Sequence, residues 1–251
     1  MRWFWLNPYS LYAEPHPEFR LHEPGLIAYV NVDNDIYPGT HSIRFAINSI
    51  RAVSPGPGAI AAESIALGGS TTECGLIPES QRWPDLLNPP AHNFGVSGNT
   101  SLDSYHNLKY LLSTGMPRFK TVLLMHGVND FDRFLARGLA DFENWEPRPI
   151  ANVLAMVDSA DQQVFSLLRI KDSALLSFIR YHSNNLKGRP FYTPLANQAA
   201  AQVGQAPLGD SGFTELTQRI RKELMPARET IYRQLADLSH SAGLDLVLLT
   251  Q

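Results

Sequence analysis

A chain of 251 residues, 44% hydrophobic and 18% charged, has the composition of an ordinary globular protein and enough length to bury a full core. Its net charge of −3 supplies no basic field that would draw it to nucleic acid or to an anionic membrane surface. Cys74 is the only cysteine, which excludes an internal disulfide and a zinc site of the multi-cysteine kind.

The first six residues, Met1 to Leu6, are apolar but are cut by Asn7-Pro8, too short for the core of a secretion signal. No stretch approaches the length that spans a bilayer as a helix. The compartment stays open, with the cytoplasm as the default. Residues 1–60 are rich in proline, aromatic residues and histidine, and read as an N-terminal extension packed on the main domain. Trp3, Phe4 and Trp5 read as packing anchors, because large aromatics bring so much area to bury. Leu26–Val32 and Ile43–Ile47 have the make-up of short strands, and Ser54-Pro55-Gly56-Pro57-Gly58 is a breaker cluster that sets the boundary.

From Ser64 onward, strand, loop and helix alternate, which predicts a parallel sheet covered by helices over residues 61–251. The first strand includes Ile65 and Leu67 and runs into Gly68-Gly69-Ser70-Thr71-Thr72-Glu73, a tight turn followed by helix-start chemistry. That arrangement lifts a hydroxyl and backbone N–H groups out of the fold, which suits a serine nucleophile and a phosphate cradle about equally. A short strand at His92-Asn93-Phe94 leads into Gly95–Ser101, and Ser101–Leu112 reads as a helix with Leu102, Tyr105, Leu108 and Leu112 on one face. Thr121–Met125 is the clearest buried strand, ending in His126-Gly127-Val128-Asn129-Asp130. Residues 131–225 are too long for a plain connection and read as a helical insertion or lid, with helical candidates at 151–170 and 172–183. A helix over about 213–241, kinked or restarted at Pro226, precedes a fourth strand at Leu244–Leu249. Ser70, Gly98 and Asn129 each follow a predicted strand, on the rim where parallel α/β sheets keep their working residues.

Taken in order, Gly68-Gly69-Ser70, Asn93–Thr100 and Gly127-Val128-Asn129-Asp130 resemble the three leading blocks of the SGNH (GDSL-type) hydrolases, and Trp83-Pro84-Asp85-Leu86-Leu87 is family-like as well. The resemblance implies a three-layer flavodoxin-like parallel sheet and hydrolysis of an ester through an acyl-enzyme. Ser70 is then the nucleophile, with the Ser70 and Gly98 backbone N–H groups and the Asn129 carboxamide holding the oxyanion. A small-molecule ester is the implied substrate, whether a lipid ester, an acyl thioester or an acetylated carbohydrate; no cofactor is implied and oligomeric state is left open. Gly69 stands where the family usually has Asp. Asp130 reads as a structural member of its loop.

The larger departure is the family's last block, Asp-x-x-His, which supplies the base and its orienting acid: only Thr250 and Gln251 follow Leu249. The expectation is a chain truncated before that block, lacking the last strand and helix, poorly stable by itself and with little or no esterase turnover. His126 ends a buried strand and reads as a packed histidine; His92, His106, His182 and His240 offer no better base, and the eight histidines show no metal-ligand spacing. Two alternatives stand beside the esterase: a non-catalytic protein of the same fold that binds an acylated or sugar ligand, and a flavodoxin-type phosphate binder using residues 68–72 as an anion nest.

Overall fold

Consecutive apolar residues such as Ile65-Ala66-Leu67 suit a strand covered on both faces, and all three are fully buried. The computed structural model describes residues 12–13, 15–31, 42–53, 62–115, 119–148, 150–151 and 210–249. Before that strand lie β1 (Tyr12–Ala13), β2 (Ile27–Asn31) and β3 (Ser42–Ala46); the strand itself is β4 (Ser64–Gly68). There follow α1 (Ser70–Glu73), β5 (His92–Asn93), α2 (Ser101–Ser113), β6 (Thr121–Met125), α3 (Val128–Arg137), α4 (Leu139–Glu143) and β7 (Ile150–Ala151). The chain is described again at α5 (Asp210–Arg219), which passes through a π-helical turn at Ile220–Leu224 into α6 (Met225–Ser241), and then β8 (Asp245–Leu249).

The central sheet has the order β5-β4-β6-β8 and every neighbouring pair is parallel, so the fold is α/β. β4 pairs along its whole length with β6, Ser64 opposite Thr121 through Gly68 opposite Met125. The chain leaves β4 on one side to form β5 and returns on the other to form β6, so strand order reverses above β4. Parallel sheets open a crevice at the carboxyl ends of such strands.

Helices α2 and α6 pack on each other, with α2 against β4 and α6 against β8, and bury Leu108, Leu111, Ile231 and Leu235. Thr100 starts α2 with a capping box: its hydroxyl accepts from the Asp103 N–H, and the Asp103 carboxylate accepts from the Thr100 N–H at 2.7 Å. Pro226 restarts the last helix rather than kinking it. The backbone stays right-handed helical through the π turn, where the Met225 N–H donates to the Ile220 carbonyl, and Pro226 falls in the first turn of α6.

The residues before β4 share the core. β2 and β3 form an antiparallel hairpin, and Val53 bridges to Asn93, on the outer side of β5. Phe19 and Leu21 join the same hydrophobic cluster as Leu67 and Leu124. Arg82 is fully buried beneath the hairpin, donating from Nε to the Ile77 carbonyl at 3.1 Å and from Nη2 to the Arg44 carbonyl at 3.1 Å.

On its outer side β8 pairs with no strand among the described residues, and Val247 and Leu248 stand 40% and 55% exposed. Of the expected insertion, α3, α4, β7 and α5 are described. The helical candidates at 151–170 and 172–183 lie almost wholly outside the described residues, as do Trp3, Phe4, Trp5 and the breaker cluster. Among the described residues no helix is long and apolar enough to cross a membrane.

Candidate active site

The first corner is built by close packing of backbone. A Cβ on Gly68 would collide with Thr72 Oγ1 and fall 2.6 Å from the Met125 carbonyl oxygen, so only glycine passes here. Gly69 is the N-cap of α1, and its carbonyl accepts from the Thr72 and Glu73 N–H groups at 3.0 and 2.9 Å. The expected hydroxyl cap is absent: no side chain caps α1, which is one turn long and closes at Cys74 in the left-handed region, φ +52°. Ser70 is therefore the first helical residue rather than the cap. It is exposed, and neither its hydroxyl nor its N–H has a hydrogen-bond partner among the described residues.

The second corner lies directly against the first. A Cβ on Gly95 would overlap the Glu73 nitrogen and fall 2.6 Å from the Thr72 carbonyl carbon. Asn93, fully buried, ties the two together: its Nδ2 donates to the Thr72 carbonyl at 2.7 Å and its Oδ1 accepts from the Gly95 N–H at 2.9 Å. The Val96 N–H donates to the Gly68 carbonyl at 3.1 Å. Gly98 then turns with φ +76°, exposed, and its N–H has no partner among the described residues.

Asn129, in the first turn of α3, supplies the third corner. Its Nδ2 donates to the Asn99 carbonyl at 2.9 Å. A Cβ on Gly69 would collide with that same Nδ2 and sit 3.4 Å from the Asn99 carbonyl oxygen. Residues 69, 99 and 129 thus meet at one point above β4, each next to or identical with a residue singled out by sequence. A side chain at position 69 would displace the Asn129 amide from the place it takes here.

Asp130 does not face this point as a free acid. It is fully buried, its Oδ1 accepts from the Ser101 N–H at 2.7 Å and its Oδ2 from Arg228 Nε at 3.0 Å. It holds the start of α2 and the face of α6 on the third corner, bonding across the fold rather than within its own loop.

None of the six described histidines is hydrogen-bonded to Ser70. His126 is buried with Nε2 2.7 Å from Ser104 Oγ, and burial pulls its pKa down, which keeps the ring neutral. His106 stacks on Trp145 and His92 lies edge-on to Phe94; burial lowers both. His16 stacks on Phe19, and His240 is exposed at the end of α6. His22 is 3% exposed and its Nε2 lies 2.7 Å from Glu73 Oε1. His41 and His182 lie outside the described residues. Among the described residues no group of three or more His, Cys, Asp or Glu is placed to hold a metal ion.

Several residues around the corners carried no motif signal. Glu73, 3% exposed, accepts from Ser97 Oγ as well as meeting His22. Arg20 is buried against the second corner, where burial draws its guanidinium down to about 10 and still leaves it charged at neutral pH. Burial alone would raise the Asp103 carboxyl, but Arg148 and Arg20 outweigh it and hold that carboxyl below its usual range. Cys74 is buried, donates to the Thr71 carbonyl at 3.1 Å and has its thiol pushed up by desolvation, the opposite of an activated nucleophile. No protein-family model matches the chain, and no curated protein matches it at a significant level.

Proposed function

We propose that the chain is a serine-dependent ester hydrolase of the SGNH type, with Ser70 as nucleophile. The carbonyl oxygen of a bound ester would lie between the Ser70 N–H, the Gly98 N–H and the Asn129 carboxamide, while the Ser70 hydroxyl attacks the carbonyl carbon. As the bond from the Ser70 oxygen to the acyl carbon forms, the ester's alkoxy C–O bond would break and the alcohol leave with the proton that Ser70 gives up. Water would then cleave the acyl-enzyme, releasing the acid and restoring the Ser70 hydroxyl. A flavodoxin-like architecture fits the strand order: numbered within the sheet, β4, β5, β6 and β8 run 2-1-3-4. The observation that carries the reading is the shared contact of Gly69, Asn99 and the Asn129 carboxamide beside an exposed serine and an exposed glycine whose N–H groups have no partner among the described residues.

A phosphate cradle does not need a carboxamide donor at this point, so the esterase fits the third corner better. A second reading, a binding protein of the same fold that holds an acylated ligand without cleaving it, is favoured by the described histidines, none of which is hydrogen-bonded to Ser70. A fluorophosphonate probe separates the two. The hydrolase forms a covalent adduct on the Ser70 peptide, read by mass spectrometry and abolished by Ser70→Ala. With no histidine hydrogen-bonded to Ser70 among the described residues, turnover of short p-nitrophenyl esters by this chain is low. A protein that binds a non-hydrolysable acyl analogue but leaves Ser70 unmodified is the binding protein.

A further inference from the structure

The second corner is not held by its own residues. Each terminal guanidinium nitrogen carries two N–H donors in a fixed plane, and Arg20 spends both donors of Nη1 on the two sides of Gly98. Its Nη1 donates to the Ser97 carbonyl at 3.0 Å and to Asn99 Oδ1. A Cβ on Gly98 would lie 3.7 Å from Arg20 Nη2, so the planar group rests against the glycine itself. The Arg20 backbone is anchored in turn: its N–H donates to Asn107 Oδ1 at 2.7 Å, and its carbonyl accepts from Asn107 Nδ2 at 3.0 Å and Asn99 Nδ2 at 3.4 Å. Asn107 sits on α2, fully buried, so the arginine is fixed to a helix of the sheet layer.

Two residues further on, the same segment reaches the first corner. His22 meets Glu73, one helical turn beyond Ser70, and the other oxygen of Glu73 accepts from Ser97 Oγ. The third corner depends on the second as well, because the Asn129 carboxamide is aimed by the Asn99 carbonyl. One short strap, residues 19–22, therefore touches a chain of contacts that runs through all three corners.

We propose that Arg20 is a positioning residue of this site, holding Ser97 and Asn99 so that the Gly98 N–H and the Asn129 carboxamide stay aimed at the point faced by Ser70. The assignment rests on the hydrolase reading above. Arg20 touches no reacting atom; it acts through the loop, and its removal shows in the rate of attack rather than in probe binding.

The test uses the 251-residue chain, fluorophosphonate labelling resolved into binding and bond formation, and amide hydrogen exchange. Arg20→Ala lowers the bond-forming rate at Ser70 by roughly 10²-fold, the scale of losing one oxyanion donor, with probe binding changed less than about twofold. Exchange at residues 96–100 speeds up while β4 and β6 keep their protection. Arg20→Lys keeps the charge and has donors enough for both acceptors, but its flexible stem and compact ammonium cannot lie as a plane against Gly98, so it recovers part of the rate, leaving a loss of about tenfold. Arg44→Ala, which removes a cation paired with Glu79 away from the corners, leaves rate and exchange as in the parent. If Arg20→Ala loosens the whole fold, Arg20→Lys decides. Parental exchange at 96–100 or a parental bond-forming rate in Arg20→Lys overturns the assignment. An unreactive Ser70 in the parent chain overturns the hydrolase reading instead, and exchange at 96–100 still reports whether Arg20 holds the corner.

Discussion

The rim above β4 and the outer side of β8 belong to one sheet and are finished in opposite ways. At the rim, backbone packs so tightly that Gly68 and Gly95 admit no Cβ, and the polar side chains Asn93, Glu73, Asn99 and Asp130 are each bonded across segment boundaries. At β8, which pairs on one side only among the described residues, Leu248 stands 55% exposed. Residue identity is dictated at the first place by several neighbours at once, and at the second by little beyond strand propensity. The same four-stranded sheet thus combines a region that tolerates almost no change with one that tolerates a great deal.

The largest expected contrast is at Asn129. Asn129→Ala keeps the fold, since the side chain is half-buried and makes one bond, but lowers the bond-forming rate at Ser70 by about 10²–10³. Parental labelling kinetics in that variant would remove Asn129 from the site. Next is Gly95→Ala, whose methyl must displace the backbone of α1; overpacking of this kind costs about 1–3 kcal/mol, read as a lower urea midpoint. An unchanged midpoint would show that the two corners are less tightly apposed than described.

Acid sharpens the comparison from another side. Burial lowers the pKa of His126, and also of His92 and His106, below the unfolded value of about 6.5. Below that value the unfolded chain binds more protons than the folded one, so stability falls as pH drops from 6.5 towards 5 and rises in the opposite direction. His126→Asn makes the slope of urea midpoint against pH shallower, and an unaltered slope would clear His126 of the effect. The smallest effect belongs to the edge. Leu248→Lys shifts stability by no more than about 0.5 kcal/mol and reduces self-association in light scattering, as expected for an exposed strand edge. A loss well beyond that range would mean that Leu248 is covered.

Local chemistry was enough to place the main elements. Val122–Met125 is an unbroken apolar run, Ser101 onward repeats its leucines at helical spacing, and three polar or glycine-rich corners each follow a strand expected from sequence. These signals act within a few residues, so they can be read without knowing what lies nearby, and they led to Ser70, Gly98 and Asn129. Two local expectations failed on geometry alone: α1 takes its cap from Gly69 backbone, and Asp130 bonds outside its own loop.

Tertiary structure decided what holds those corners together. Arg20 reaches Ser97 and Asn99 from 77 and 79 positions away, His22 reaches Glu73 from 51, and Arg228 reaches Asp130 from 98. No spacing rule links residues so far apart, because the separation along the chain is set by everything folded between them. A buried arginine looks like a surface arginine in sequence; only the folded chain reveals that Arg20 lies inside, where a carbonyl and a carboxamide oxygen replace the water it lost.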